Sequence, residues 1–344
     1  MQVVSTSALP IDLAAQVTAA LPGSVVHVPA HGHVGIAGVE LGEADALVCL
    51  LLDRIDAKVF ARAPKLQLVA NCAVGFDNID LAAATAAGVA VTNTPDVLTE
   101  ATAELAFTLL LACARRLGEG ERLVRSGIWT GWALDQLIGV GLLGKTLGIV
   151  GYGRIGQAMA RRAVGFGMRV IYCEPGDPDG PGSGGYALGG AEQFAERSGA
   201  VRRVALDELF ATSDAVSLHC PLTPETHHLV NARRLATMKP TALLVNTARG
   251  GCVDEAALIQ ALTERRLFGA ALDVYAREPA LDPGLFHCPG LVLAPHIGSA
   301  TSEARTAMAQ LCADSVIAVL RGQRPTQLVN DLSNTLPLPW NRRS

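Results

Sequence analysis

No stretch of this 344-residue chain restricts its fold more than Leu147 to Cys173. Leu147-Gly148-Ile149-Val150 is a short apolar run, and the turn Gly151-Tyr152-Gly153-Arg154-Ile155-Gly156 follows at once. Gln157 to Phe166 continues with good helix formers, and Met168 to Cys173 turns β-like again. Glycines cluster in many loops, but GxGxxG set between a strand and a helix predicts a dinucleotide site. Gly151 lets the chain turn tightly, Gly153 lets a pyrophosphate approach the backbone, and Gly156 lets helix and strand pack closely. The helix start then offers free N–H groups and a positive dipole end to the phosphate. Glu174, 18 residues after Gly156, ends the second strand, where a carboxylate accepts hydrogen bonds from both ribose hydroxyls. It would repel a 2′-phosphate, and Pro175-Gly176-Asp177-Pro178-Asp179 adds two acids and no Arg or Lys. NAD is therefore expected as the cofactor, ahead of NADP. The plainer reading is a glycine turn used only for helix–strand packing.

A chain this long suits two domains. Half of its residues are hydrophobic and 17% are charged, so large cores are possible and disorder is not expected. A net charge of -4 without any Lys/Arg block argues against nucleic acid or an anionic membrane as partner. No apolar run reaches the length of a membrane span. Met1-Gln2-Val3-Val4-Ser5 has no basic region ahead of an apolar core, so it does not read as a signal peptide. Eight scattered cysteines, none in a CxxC pair, fit buried thiols in a reducing cytoplasm and predict neither disulfides nor a metal site. His27, His31 and His33 read as exposed loop histidines.

The first ninety-odd residues alternate β-like runs (Gln2 to Ser5, Ser24 to Val28, Ala46 to Leu51, Leu66 to Asn71, Val89 to Thr92) with helices (Ile11 to Leu21, Ala57 to Ala63, Ile79 to Ala87). Such alternation predicts α/β architecture with a parallel, doubly wound sheet. The loop Asn71 to Asp80 follows a strand end, where backbone N–H groups at Val74 and Gly75 could hold a carboxylate, or where it is simply a βα connection. Leu98 to Leu117 reads as one long helix, apolar on nearly every face, to be buried between domains or subunits. Gly118 to Gly144 reads as an irregular arm whose Trp129 and Trp132 pack on another surface. Gly176 to Arg202 reads as a surface excursion. Regular structure resumes with helices at Ala205 to Phe210, Ala232 to Met238, Glu255 to Glu264 and Ser302 to Arg321. The strands between them are Ala215 to His219, Ala242 to Asn246, Gly269 to Val274 and Leu291 to Ala294.

Three residues follow strand ends in this second half: Arg249, Glu278 and His296. Strand ends line the crevice beside a cofactor, so the three are expected to meet there. Arg249 can take a carboxylate by a bidentate pair, His296 can move a proton, and Glu278 can orient and charge the imidazole. A neighbouring carboxylate favours the protonated histidine needed to reduce a ketone. Singly, each has a plainer reading as a turn, helix-entry or surface residue.

These motifs together resemble the NAD(P)-dependent D-2-hydroxyacid dehydrogenase family, and within it the glyoxylate/hydroxypyruvate reductases. The resemblance spans nearly the whole chain. It is carried by the glycine turn, His219-Cys220-Pro221-Leu222-Thr223-Pro224-Glu225-Thr226, Asn246 to Gly251, Asp273 to Pro279 and Pro295-His296-Ile297-Gly298-Ser299. In the first half Ala73 to Asp80 and Val91 to Glu104 carry it. It implies that Arg249, Glu278 and His296 are catalytic, and that Val74, Gly75, Arg249, Ser299 and Trp132 serve the substrate. Cofactor contacts would come from Thr102, Gly151, Gly153, Arg154, Ile155, Gly156, Glu174, Cys220, Pro221, Thr226, Thr247, Ala248, Arg249, Asp273, His296 and Gly298.

The same likeness implies a Rossmann domain, 98–294, inserted in a discontinuous flavodoxin-like substrate domain, 1–97 and 295–344. It further implies a homodimer in which Trp132 reaches the partner's active site. The expected reaction is NADH-dependent reduction of a small 2-oxo acid, glyoxylate or hydroxypyruvate, with the proton from His296. A phosphoglycerate or D-lactate dehydrogenase and a non-catalytic NAD(H)-sensing co-repressor are the alternatives. Cys72 where that branch carries an aromatic residue, a short arm before Trp132, and the 176–202 insertion depart from the pattern.

Overall fold

The computed structural model describes residues 1–174, 201–333 and 337–341. The chain divides into two compact units, Met1–Leu98 with Ser299–Ser344, and Thr99–Gly298.

In the first unit the strands β1 (Gln2–Ser5), β2 (Val25–His27), β3 (Ala46–Cys49), β4 (Leu68–Asn71) and β5 (Ala90–Thr92) form one sheet in the order β2-β1-β3-β4-β5. Every pair is parallel, and the order is that of flavodoxin-like folds. β3 and β4 are buried along their whole length, which is why they read as continuous apolar runs rather than alternating ones. The helices α1 (Leu13–Ala20), α2 (Ala57–Arg62) and α3 (Leu81–Ala86) each begin at an aspartate that accepts first-turn N–H groups: Asp12 from Ala15, Asp56 from Lys58 and Val59, Asp80 from Ala83. The helix Ser302–Leu320 returns to this unit and packs on α1 and β4.

The second unit holds α4 (Thr99–Ala114), α5 (Leu117–Arg125), β6 (Thr146–Val150), α6 (Arg154–Gly165), β7 (Arg169–Cys173), β8 (Val201–Arg203), α7 (Leu206–Thr212), β9 (Ala215–Leu218), α8 (Ala232–Thr237), β10 (Leu243–Asn246), α9 (Glu255–Thr263), β11 (Gly269–Leu272) and β12 (Leu291–Leu293). Its seven strands, all parallel, run β12-β11-β10-β9-β6-β7-β8. Counted from β6 this is the Rossmann order with one more parallel strand, and it reverses between β6 and β9. One core layer gathers Leu209, Phe210, Leu218 and Leu258, the other Leu110, Ile149 and Met159.

Three expectations are corrected. The apolar helix from Leu98 is two helices: Arg116 takes a left-handed conformation (φ 52°) and pairs bidentately with Glu119 at 3.0 and 2.7 Å, turning the chain into α5. α4 packs within its own unit against α6 and strands β10, β11 and β12. The stretch after it is therefore helical to Arg125. α5 has no buried residue and contains two glycines, so neither a buried apolar stripe nor propensity marks it in the sequence. Finally, Val201 and Arg202, placed in the surface excursion, belong to the edge strand β8 paired with β7. The rest of that excursion, 176–200, and the acids Asp177 and Asp179 lie outside the described residues. Among the described residues no helix is long and apolar enough to cross a membrane.

Candidate active site

The glycine turn does three separate things. Gly151 has φ +89°, and a Cβ there would lie 2.8 Å from the backbone of His219 and Cys220, so β6 and the loop after β9 touch through it. A Cβ on Gly156 would lie 2.2 Å from the Gly151 carbonyl. A Cβ on Gly153 would meet nothing within 4 Å. Only the middle glycine faces open space, the feature a phosphate approaching the backbone needs. α6 also starts at Gly153 without any side-chain cap, unlike the aspartate-capped helices of the first unit, so no capping side chain stands where a phosphate would approach. Arg154 and Ile155 open this helix.

Glu174 accepts the Tyr152 N–H through Oε1 at 2.8 Å. Burial pushes its carboxyl above the ordinary range, opposed by that bond and by the charge of Arg203. Arg203 is a neighbour that local sequence does not reveal, because it stands 29 residues beyond Glu174 in the chain. In the loop after β9, Thr226 spends its hydroxyl internally, donating to the Pro221 carbonyl at 2.6 Å and accepting the Thr223 N–H at 2.7 Å. His219 sits beside Ser217 at 2.9 Å, and burial lowers it to about 4, so this motif histidine is a neutral structural one. The Thr247 hydroxyl is buried without a hydrogen-bond partner. The open cradle at Gly153, the uncapped helix start and this orphaned hydroxyl fit a bound dinucleotide.

β10, β11 and β12 are adjacent, so the segments after their ends bring Arg249, Glu278 and His296 together. His296 Nδ1 lies 2.6 Å from Glu278 Oε2, and Glu278 Oε1 accepts the Tyr275 N–H at 2.8 Å. Burial alone would raise the Glu278 carboxyl, but the His296 bond, the Tyr275 N–H and the charges of His296 and Arg249 hold it below its ordinary value. His296 itself is held at φ 56°, a conformation costly for a non-glycine residue. Asp273 supports it: Oδ1 accepts the Ile297 N–H at 2.8 Å and Oδ2 the Gly298 N–H at 2.7 Å. Both carboxylate oxygens are thus engaged by the chain, and Thr102 lies within 3.4 Å of where a Gly298 Cβ would stand.

The Tyr275 hydroxyl donates to the Ala294 carbonyl at 2.8 Å, tying the end of β11 to that of β12. Burial pushes its ionisation up to about 12, so it stays a donor. Arg249 Nη1 donates to the Ala248 carbonyl at 2.8 Å. Its turn is clipped by buried Asn246, which donates to the Arg249 carbonyl and accepts the Ala248 N–H, both at 3.0 Å. A Cβ on Gly250 would fall 1.8 Å from the Tyr275 carbonyl carbon, so only glycine lets the two loops approach. Tyr275 and Asn246 are supports the sequence reading passed over, although both lie inside motifs it had marked.

The remaining expected residues belong to other segments of the chain. Trp132 is 81% exposed on the stretch beyond α5, and the Ser299 carbonyl accepts the Thr301 N–H and the Arg305 guanidinium at the entry to Ser302–Leu320. Val74 and Gly75 occupy the half-buried loop after β4 in the first unit. His33, read as an exposed loop residue, is bonded to buried Asp53 at 3.0 Å.

A Rossmann sheet with a fingerprint turn and a His–Glu pair beside an arginine defines a dehydrogenase, and the chain belongs to the D-isomer specific 2-hydroxyacid dehydrogenases: residues 107–298 match the model of that family's NAD binding domain. It is 49% identical over 300 residues to a glyoxylate reductase of Thermococcus litoralis, 86% of each chain being covered. To the glyoxylate reductase of Pyrococcus furiosus it is 51% identical over 84% of this chain and 83% of that one. Among solved structures, a protein of Thermus thermophilus matches with TM-score 0.84 and 43% identity, over 96% of this chain and 100% of that one. The NADPH-dependent glyoxylate/hydroxypyruvate reductase of Sinorhizobium meliloti, in complex with NADP and malonate, matches with TM-score 0.79 and 30% identity over 100% and 99%.

Proposed function

We propose that this enzyme reduces a small 2-oxo acid, glyoxylate or hydroxypyruvate, with NADH. The observation that carries the reading is the 2.6 Å His296–Glu278 pair within the field of Arg249. The relatives named glyoxylate reductase support the choice of acid. A bound nicotinamide supplies hydride to the keto carbon. Because Nδ1 of His296 is engaged by Glu278, Nε2 is the nitrogen that gives a proton to the oxygen. Glu278 holds the ring in place and stabilises its charged form. Arg249 is the carboxylate ligand of the second unit, and the backbone N–H groups of Val74 and Gly75 are the carboxylate donors of the first. Thr102, Asp273 and Thr247 flank the nicotinamide half, and Asp273 does so by shaping the Ile297–Gly298 backbone.

Two observations bear on the cofactor in opposite directions. Glu174 at the end of β7 favours NADH, whereas the charge of Arg203 beside it and the NADP held by the Sinorhizobium relative speak for the phosphorylated form. We assign NADH, because among the described residues Tyr152 takes one Glu174 oxygen and leaves the other to ribose hydroxyls. The second unit would be the NAD-binding domain and the first the substrate domain. The eight reduced thiols suit a reducing compartment such as the cytoplasm.

Steady-state kinetics with glyoxylate, hydroxypyruvate, pyruvate and 3-phosphohydroxypyruvate, each against NADH and NADPH, test the reading. A kcat/KM preference for glyoxylate or hydroxypyruvate with NADH is expected. Preference for NADPH overturns the Glu174 argument alone; tight NADH binding without turnover of any acid overturns the catalytic reading in favour of a sensing protein.

A further inference from the structure

We propose that Asn71 and Asn93 are positioning residues that lock the peptide planes of the 73–76 loop, so that three consecutive N–H groups, of Val74, Gly75 and Phe76, stand ready for the substrate carboxylate. The inference rests on the 2-oxo acid reading above and adds to it a third donor and the two side chains that aim the set.

In a trans peptide the carbonyl of one residue and the N–H of the next point in opposite directions within one rigid plane. Fixing a carbonyl therefore fixes the following N–H. Three successive carbonyls in this loop are held: that of Ala73 accepts the Thr94 N–H at 2.9 Å, that of Val74 accepts Asn93 Nδ2 at 2.8 Å, and that of Gly75 accepts Asn71 Nδ2 at 2.9 Å. The N–H groups that these planes orient make no hydrogen bond among the described residues. Val74 and Gly75 are half-buried and Phe76 is exposed, so the donors are open to an incoming ligand, and a set of fixed, unspent N–H groups is an anion site.

The pins are themselves anchored. Asn71 ends β4, is fully buried, and accepts Asn78 Nδ2 at 3.3 Å. Asn78 Nδ2 in turn donates to the Leu50 and Asp53 carbonyls at 3.2 and 3.0 Å, beyond the end of β3. Asn93 and Thr94 follow the end of β5, so the loop is braced from three neighbouring strands of the parallel sheet. Rigid bracing matters because donors already aimed at a charge need no reorganisation when it arrives. Neither asparagine touches the reacting atoms; they act through the backbone.

The test is Asn93→Ala, the less buried of the two, with NADH saturating. The glyoxylate KM should rise about tenfold, the scale of weakening one hydrogen bond to a charged group, while kcat changes by less than about threefold and the NADH Kd by less than about twofold. Asn93→Asp, of the same shape but without the N–H donor, should raise KM at least as much and decides the matter if the alanine variant folds poorly. Asn93→Gln, which keeps an amide donor, should recover part of the loss. A purely structural asparagine would lower the melting temperature and the active fraction with KM unchanged, and that result overturns the proposal. Wild-type protein that binds NADH but turns over no 2-oxo acid removes the reading underneath, and the carboxylate role of Asn93 goes with it.

Discussion

His296 is the residue on which the chemistry turns. Removing it in His296→Ala should cut turnover by about 10²- to 10⁴-fold, the usual worth of a positioned acid, with NADH binding intact by fluorescence titration. In Glu278→Gln the carboxylate that holds the His296 ring at 2.6 Å is gone, so kcat/KM for the 2-oxo acid should fall by roughly 10²-fold with NADH affinity unchanged; an unchanged kcat/KM would rule out Glu278 as the positioning partner. Glu278 is held below the ordinary carboxylate value by its partners. Its contribution to stability is therefore present above the unfolded value of about 4.3 and is lost as pH falls through the lower folded one. Glu174 behaves in the opposite sense. Burial raises it, so it takes up a proton at a pH where an exposed carboxylate would still be ionised, and its grip on ribose hydroxyls weakens there. The KM for NADH should accordingly rise on the acid side. Glu174→Gln should flatten that rise while narrowing the NADH-over-NADPH ratio, as measured by kcat/KM for both cofactors across the acid-to-neutral range.

Elements hold these residues to their positions through close backbone approaches that admit no side chain. Gly250→Ala would drive a Cβ into the Tyr275 backbone, so the turn carrying Arg249 must move. A shift of about 1 Å at a substrate-positioning group can cost roughly 10²-fold, and kcat/KM for the 2-oxo acid is expected to fall by that order while NADH affinity holds. Gly156→Ala should do the reverse. It overpacks α6 against the Gly151 carbonyl, destabilises the fold by about 1–3 kcal/mol, and weakens NADH binding; thermal denaturation together with NADH titration would show both. Arg116 shows at the same scale why the helix from Leu98 was read too long. Apolar periodicity runs on through Leu117, yet the Val140 N–H donates to the Ala114 carbonyl at 2.8 Å and the Arg116–Glu119 pair turns the backbone. The Arg116–Glu119 pair is local, but Val140 comes from well beyond the helix, so a local window holds only part of that competition.

At the scale of the molecule, the segment beyond α5 exposes Ile128, Trp129, Trp132, Leu134, Ile138 and Leu143. Six large apolar side chains exposed on one segment mark a surface that another chain should cover. Static light scattering is expected to give a mass twice that of one chain, and Leu134→Glu with Ile138→Glu should halve it; a monomeric wild type would overturn the homodimer reading. The sequence by itself determined the two parallel sheets, the fingerprint turn and the Arg249–Glu278–His296 set, because hydrophobic period, glycine spacing and strand-end placement are local signals that survive in a linear string. Only the tertiary structure decided which groups support that set. Tyr275, Arg203 and Asn93 are ordinary polar residues until segments distant in sequence lie side by side. A carbonyl or carboxylate then comes within hydrogen-bonding reach of a donor, and the side chain acquires its role.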